Sequence, residues 1–359
     1  MNDNGRAPQP PITRIGGIDA VRGLAVIGML MVHVGPRNRD NLAEILYNFP
    51  HGRASILFIF VAGIGVSLLS ARPGSRPSAR LRLSWTVLVF LPLGLTLQAL
   101  DHGVAVILHH YALFYCLGFL AMALPLRGLG LLAVVTTIVG PLVYFAIRAQ
   151  WPDFVGREAV TLGGRPFAVI EGLLLTGPYP LLTWAPALLW GMWVGRFDLR
   201  SRHFQIRLAL AGAAVGLCAA AISAVMFLVF GGPEGSDDLR HLLSDAPHGQ
   251  MPLWIVGAVG TASAATGVML ILVDRWPRTW WPLVALGQLA FSFYIAHLIA
   301  LHFFSDVLRH ESVGPASVSV VLVGTIAMGF ALVWRRHFSR GPLEALLVAP
   351  FNLATRLIR

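Results

Sequence analysis

Lysine is absent from this chain; all 27 basic residues are arginine. Charge of either sign is scarce, at 12% of residues against 56% hydrophobic ones, with a mean hydropathy of +0.70. Soluble globular domains carry about 25% charged residues, so that class is excluded. Cysteine is nearly missing too. Cys116 and Cys218 both fall inside apolar runs, where they read as small packing residues, with no sign of a disulfide framework or thiol chemistry. No His-Glu-x-x-His and no dense Cys/His spacing occurs, so no metal is expected. Internal repeats and low-complexity linkers are lacking. A cleavable leader is not expected either, since residues 1–17 are polar and no small-residue cleavage pattern closes the first apolar run.

Long apolar runs dominate what remains. Segments able to cross about 30 Å of hydrocarbon recur at 18–35, 54–71, 83–100, 105–124, 128–147, 181–195, 206–230, 252–273, 283–304 and 316–334. They are continuous and not alternating, and lipid leaves an open backbone unsatisfied, so helices are expected over a barrel. The fold class read from this pattern is an all-α polytopic membrane bundle of about ten transmembrane helices. Residues 18–334 form one membrane domain, flanked by tails at 1–17 and 335–359. In "GAVGTASAATG" small residues predict close helix packing.

Arginine placement orients the chain. Arg72, Arg76, Arg80 and Arg82 follow the second run; Arg196, Arg200, Arg202 and Arg207 follow the sixth; Arg275 and Arg278 follow the eighth; Arg335, Arg336 and Arg340 follow the last. By the positive-inside rule these loops and both termini are cytoplasmic. The opposite loops hold Asp153, Glu158, Asp237, Asp238, Asp245 and Glu311. The net charge of +10 therefore reports topology, and nucleic acid is not an expected partner. Two outer excursions are expected, at 148–180 and 231–251. The first contains "RPFAVIEGLLLTGPYP", which suits a helix lying at the outer surface or dipping into the bundle. The tail from Pro342, ending in Arg356 and Arg359, reads as a cytoplasmic interfacial helix.

The first run, "IDAVRGLAVIGMLMVHVGPR", carries three polar residues that an apolar span would not tolerate at random. At 100° per residue, Asp19, Arg22 and His33 share one helix face, spread along roughly 20 Å. Charges within spans are costly unless they face protein or water, so this stripe is expected to line a cavity. A plainer alternative is an interfacial Asp19–Arg22 pair with His33 reaching outward. Histidines are concentrated on the same side: ten of the twelve, including His33, His51, His102, His109, His110, His297 and His302, fall at or beyond the outer half, and only His203 and His337 lie inside. Imidazole exchanges protons near neutral pH, so the cluster points to base or acyl-acceptor chemistry at the external face. Adjacent His109 and His110 are expected on different sides of their helix.

With these residues in view, a family resemblance emerges. "RIGGIDAVRGLAVIGMLMVHV" resembles the first-helix signature of the transmembrane acyltransferase superfamily, an Asp-x-x-Arg-Gly that opens the helix and a His or Asn that closes it. "GRASILFIFVAGIGVSLL" resembles the second helix of bacterial relatives of heparan-alpha-glucosaminide N-acetyltransferase. "ILHHYALFYCLGFLAMALP" and "GPYPLLTWAPALLWGMWVGR" are similar to later helices of those proteins. "LGQLAFSFYIAHLI" resembles their Tyr-x-x-His helix, and "FSRGPLEALL" the tail of the YeiB-like proteins.

The resemblance implies transfer of an acetyl or other acyl group from cytosolic acyl-CoA to a hydroxyl or amine outside, in a bacterial cell membrane. Its expected acceptor is a carbohydrate, a glycan or another small molecule; some relatives pair, so a homodimer is also expected. Carried over by position, His51 is the first choice for the chemistry, His33 its rival, and Asp19 the third catalytic candidate. Arg22, Arg53, His297 and Tyr294 would contact the donor, and His109, His110, Tyr111 and Tyr179 would line the acceptor cavity. Two other classes remain open on sequence: a transporter or channel using the same polar stripe, and an assembly protein whose polar residues only fix packing.

Overall fold

The computed structural model describes residues 14–71, 74–152, 159–161 and 165–351. Arg72, Asp153, Glu158, Arg356 and Arg359 of the sequence reading lie outside the described residues.

The described chain is all helical, without strands. In order it forms α1 (Gly16–Val34), α2 (Leu42–Tyr47), α3 (Arg53–Leu69), α4 (Arg76–Gln98), α5 (Leu108–Ala121), α6 (Leu126–Gln150), α7 (Pro166–Glu171), α8 (Leu181–Val194), α9 (Arg202–Phe230), α10 (Pro252–Arg275), α11 (Pro277–Gln288), α12 (Ala290–Leu308) and α13 (Val313–His337). A π turn, Gly172–Thr176, follows α7, and a 3-10 turn, Leu239–Leu243, precedes α10. Among the described residues seven helices are long and apolar enough to span a membrane: α1, α4, α6, α9, α10, α12 and α13. The apolar helices α3, α5 and α8 are shorter.

Burial sorts these helices into a centre and a rim. Trp184, Trp254, Phe60 and Phe114, from α8, α10, α3 and α5, are fully enclosed. The rim helices α6, α9 and α13 expose Leu131 and Ile138, Leu217 and Leu228, and Val318 and Ile326. A belt of bare apolar side chains on that scale belongs against lipid, which makes this a multi-pass membrane protein. Small residues set the closest approaches, as the sequence suggested for α10. A Cβ on Gly212 of α9 would collide with the Ala264 backbone, and one on Gly260 with that of Gly216.

Four expectations are corrected. The run 283–304 is not one helix but breaks at Leu289 (φ −112°, ψ 20°), and the amides freed there are bound by a tail carboxylate described below. Residues 342–348 form turns folded onto the bundle in place of an interfacial helix, with helix resuming only at 349. Cys116 and Cys218 are free, but they lie exposed on outward helix faces and do not pack internally. His109 and His110 both point inward, with ring centroids 4.4 Å apart, because α5 is enclosed on both of those faces.

Candidate active site

The site begins with a buried carboxylate. Asp19 is 1% exposed on the first turn of α1, where a bare anion would be costly. It is satisfied by Arg14, by Arg22 Nη1 at 2.8 Å and by Gln288 Nε2 at 3.2 Å. Gln288 ends α11, which reaches it because Gly287 lies directly on the Asp19 backbone carbonyl. Asp19 thus fixes Arg22, which turns into a cavity of about 330 Å³.

Arg14 and Arg82 line that cavity with Arg22, and so do Met29, Ile107 and Tyr294. Its walls include Tyr111, Tyr115, Phe90 and Gln288. Tyr294 Oη accepts a hydrogen bond from Ile107 N–H at 3.1 Å, tying α12 to the start of α5. His33 and His297 each stand one turn beyond a residue lining the cavity, Met29 and Tyr294. A second space of about 530 Å³, almost wholly apolar, lies between α1, α12 and α13 and also reaches Tyr294 and His297.

His33 Nδ1 and His297 Nε2 are 3.0 Å apart, with rings inclined by 3°. The network assigns their tautomers. His297 Nδ1 lies 3.3 Å from the Phe293 carbonyl, which only accepts, so that nitrogen carries the proton and Nε2 the lone pair. His33 Nδ1–H therefore donates to His297, leaving the lone pair of His33 on Nε2. The arrangement is that of an oriented base.

The sequence from residue 15 to 334, which contains the histidine pair and most of the lining of both cavities, matches the family described as the acyltransferase domain. The chain belongs to that family. No curated protein matches it.

The other candidates of this acyltransferase domain separate into two groups. Arg22, Tyr111, Tyr294 and Arg14 share the cavity with its arginines. His51, Arg53 and Tyr179 instead form a cluster with His248, Trp184 and Trp254. His248 lies 5.3 Å from His51, 5.5 Å from Tyr179 and 5.3 Å from Trp184, measured between ring centroids. Arg53 stacks on Phe49 and Trp254 at 5.0 and 5.2 Å and pairs with Asp245 at 3.4 Å. The His51 imidazole is pushed down to about 4, first by burial and then by Arg39, Arg37 and Arg53. Gly52 at φ 71° permits the turn that brings His51 here, and a Cβ on it would strike the Trp254 ring. The facing loop is held in strained backbone, His248 at φ 57° and Gln250 at φ 63°, with Gln250 Oε1 accepting from Thr183 Oγ1 and Trp184 Nε1 at 2.6 Å each.

His109 and His110 are buried, and neither ring has a hydrogen-bond partner; His110 meets Tyr179 edge-on at 5.5 Å. Several other histidines serve as loop pins. His102 Nε2 binds the Leu97 carbonyl at 2.9 Å, His302 Nδ1 that of Asp101 at 2.9 Å, and His310 Nε2 the Ser319 hydroxyl at 2.7 Å. Among the described residues no group of His, Cys, Asp or Glu is arranged to hold a metal ion. Sequence reasoning missed Gln288, Glu344 and His248, and named Arg82 only as one of the inner arginine clusters. Only Gln288 carried a usable signal, as an amide inside an apolar run.

Proposed function

We propose that this membrane acyltransferase takes an acyl group from acyl-CoA at its arginine-rich face and delivers it to a hydroxyl or amine at the opposite face. The acceptor is a sugar, a glycan or a related small molecule. The reading extends the ten apolar helices to ten crossings, with both termini on the cytoplasmic side of a bacterial cell membrane. It also includes the finer kinship with heparan-alpha-glucosaminide N-acetyltransferase and the YeiB-like proteins.

One observation carries the reading: an oriented imidazole pair stands one helical turn beyond Met29 and Tyr294, two residues lining a cavity that Arg14, Arg22 and Arg82 also line. From Arg22 to His33 is eleven residues of helix, roughly 16 Å. A phosphate-bearing head held by guanidinium forks at one end would place an extended thioester arm toward the histidines. As the acceptor oxygen or nitrogen attacks the thioester carbon, its proton passes to His33 Nε2. The carbon–sulfur bond breaks, and the departing thiolate takes the proton. His33 Nδ1–H keeps its bond to His297 throughout, which orients the ring and stabilises its cationic form. Asp19 serves by holding Arg22. His51, beside Arg37, Arg39 and Arg53 and tilted against His248, is assigned to acceptor recognition and not to proton transfer, since the imidazole oriented by a hydrogen bond to a second imidazole is His33.

The broken helix at Leu289 is a feature that favours the transporter alternative. Calorimetry separates the two readings. Purified protein in detergent is expected to bind acetyl-coenzyme A, and Arg22→Ala to weaken that binding about tenfold or more. A folded wild type that binds no coenzyme A would end the acyl-CoA reading.

A further inference from the structure

The break between α11 and α12 frees the amides at the start of α12, and a carboxylate from the C-terminal tail takes them. Glu344 Oε1 accepts from Phe291 N–H at 2.9 Å and Ser292 N–H at 3.1 Å, and its Oε2 accepts from the Ser292 hydroxyl at 2.6 Å. The start of a helix of 19 residues favours an anion there. Glu344 also lines the cavity that holds Arg14, Arg22 and Arg82, and among the described residues it is the only acidic one in that lining. Two further polar atoms on the same walls are buried without a hydrogen-bond partner: Gln288 Oε1 and Tyr111 Oη. The unpartnered Tyr111 hydroxyl and the three guanidinium groups are donors, and together they suit an anion larger than one carboxylate.

The tail itself bridges the cavity mouth. Leu343 N–H donates to Ser292 Oγ at 3.0 Å on α12, while Trp85 Nε1–H of α4 donates to the Leu346 carbonyl at 3.0 Å. Arg82 lies over the Phe351 ring at 5.5 Å, and Leu347 fills part of the lining.

We propose that the start of α12 is a phosphate subsite which Glu344 occupies as an internal surrogate, so that the tail 341–351 is a strap the donor must displace. The proposal rests on the reading of this cavity as the site of a phosphorylated donor. With the strap seated, only the released fraction of molecules binds, and apparent affinity falls by that fraction. Glu344→Gln keeps the side chain's shape without its charge, and Glu344→Ala removes the anchor. Both preserve every arginine of the site.

The test uses the full chain in detergent, with coenzyme A as the probe, and has two readouts. Calorimetry on wild type, Glu344→Gln and Glu344→Ala is expected to show tighter binding in both variants, by about threefold or more, with Ala the larger. Hydrogen exchange on wild type, which needs no variant, is expected to show faster exchange across 341–351 when coenzyme A saturates the protein. Coenzyme A binding that is equal or weaker in both folded variants, or tail exchange that is unchanged or slowed at saturation, overturns the strap and leaves the donor reading intact. Failure of wild type and both folded variants to bind coenzyme A overturns the donor reading and the strap together.

Discussion

His33 donates its Nδ1–H to His297 Nε2 across 3.0 Å, and the Phe293 carbonyl in turn fixes the tautomer of His297. One chain of hydrogen bonds therefore sets which nitrogen of His33 is basic. His297→Ala is expected to lower kcat for acyl transfer about a hundredfold while leaving donor KM unchanged. His297→Gln offers an amide oxygen to the same N–H and is expected to recover part of that loss. Equal defects in both variants would assign His297 to packing alone.

Asp19→Asn tests the anchor below the cavity. The neutral side chain no longer balances Arg14 and Arg22, which lose the partner that holds them in place. Donor Kd is expected to rise about tenfold, equivalent to about 1.4 kcal/mol, with a lower Tm. Titration of coenzyme A followed by a thermal melt reads both.

Gly287→Ala probes the approach of α11 to α1, where a Cβ would meet the Asp19 carbonyl and the Gly23 backbone. Neither contact is the flexible end of a side chain, so the helices must separate. A stability loss of about 3 kcal/mol is expected, measured by thermal unfolding in detergent. Gly314→Ala, where a Cβ meets nothing within 4 Å, is the matched control and is expected to be near neutral.

His51 makes stability sensitive to acid. Its folded value of about 4 lies below the ordinary 6.5, so between those two values the unfolded chain binds a proton that the folded chain refuses. Stability contributed by neutral His51 is therefore full above pH 6.5 and falls as pH drops through that window toward 4. His51→Asn is expected to show a smaller decline in Tm between about pH 7 and about pH 5 than wild type does. An identical decline in the two proteins would place the acid sensitivity elsewhere.

The long helices were legible because their causes are local, whereas of the expected polar stripe only Arg22 lines a cavity, Asp19 being paired with it. Apolar runs of sufficient length, and the angular coincidence of Asp19, Arg22 and His33, are properties of consecutive residues. The pairing of His33 with His297 was not legible. It joins residues 264 positions apart through the packing of α1 against α12. The break at Leu289 was hidden for a similar reason, because the group that satisfies its free amides is Glu344, more than fifty residues later. A cluster such as His51, His248 and Tyr179 likewise gathers from three connections that no periodicity links. The sequence reading placed the chemistry on His51 ahead of His33; the proposed mechanism reverses that order, on the pairing of His33 with His297.

The most direct test of that reversal is transfer of labelled acetyl from acetyl-coenzyme A by His33→Ala and His51→Ala proteins in vesicles, each first shown to bind coenzyme A like wild type. The account predicts that His33→Ala loses transfer by at least a hundredfold at saturating acceptor, while His51→Ala raises acceptor KM and keeps most of its kcat. Loss of kcat in His51→Ala, with His33→Ala active, would contradict the account and move the base to the outer cluster.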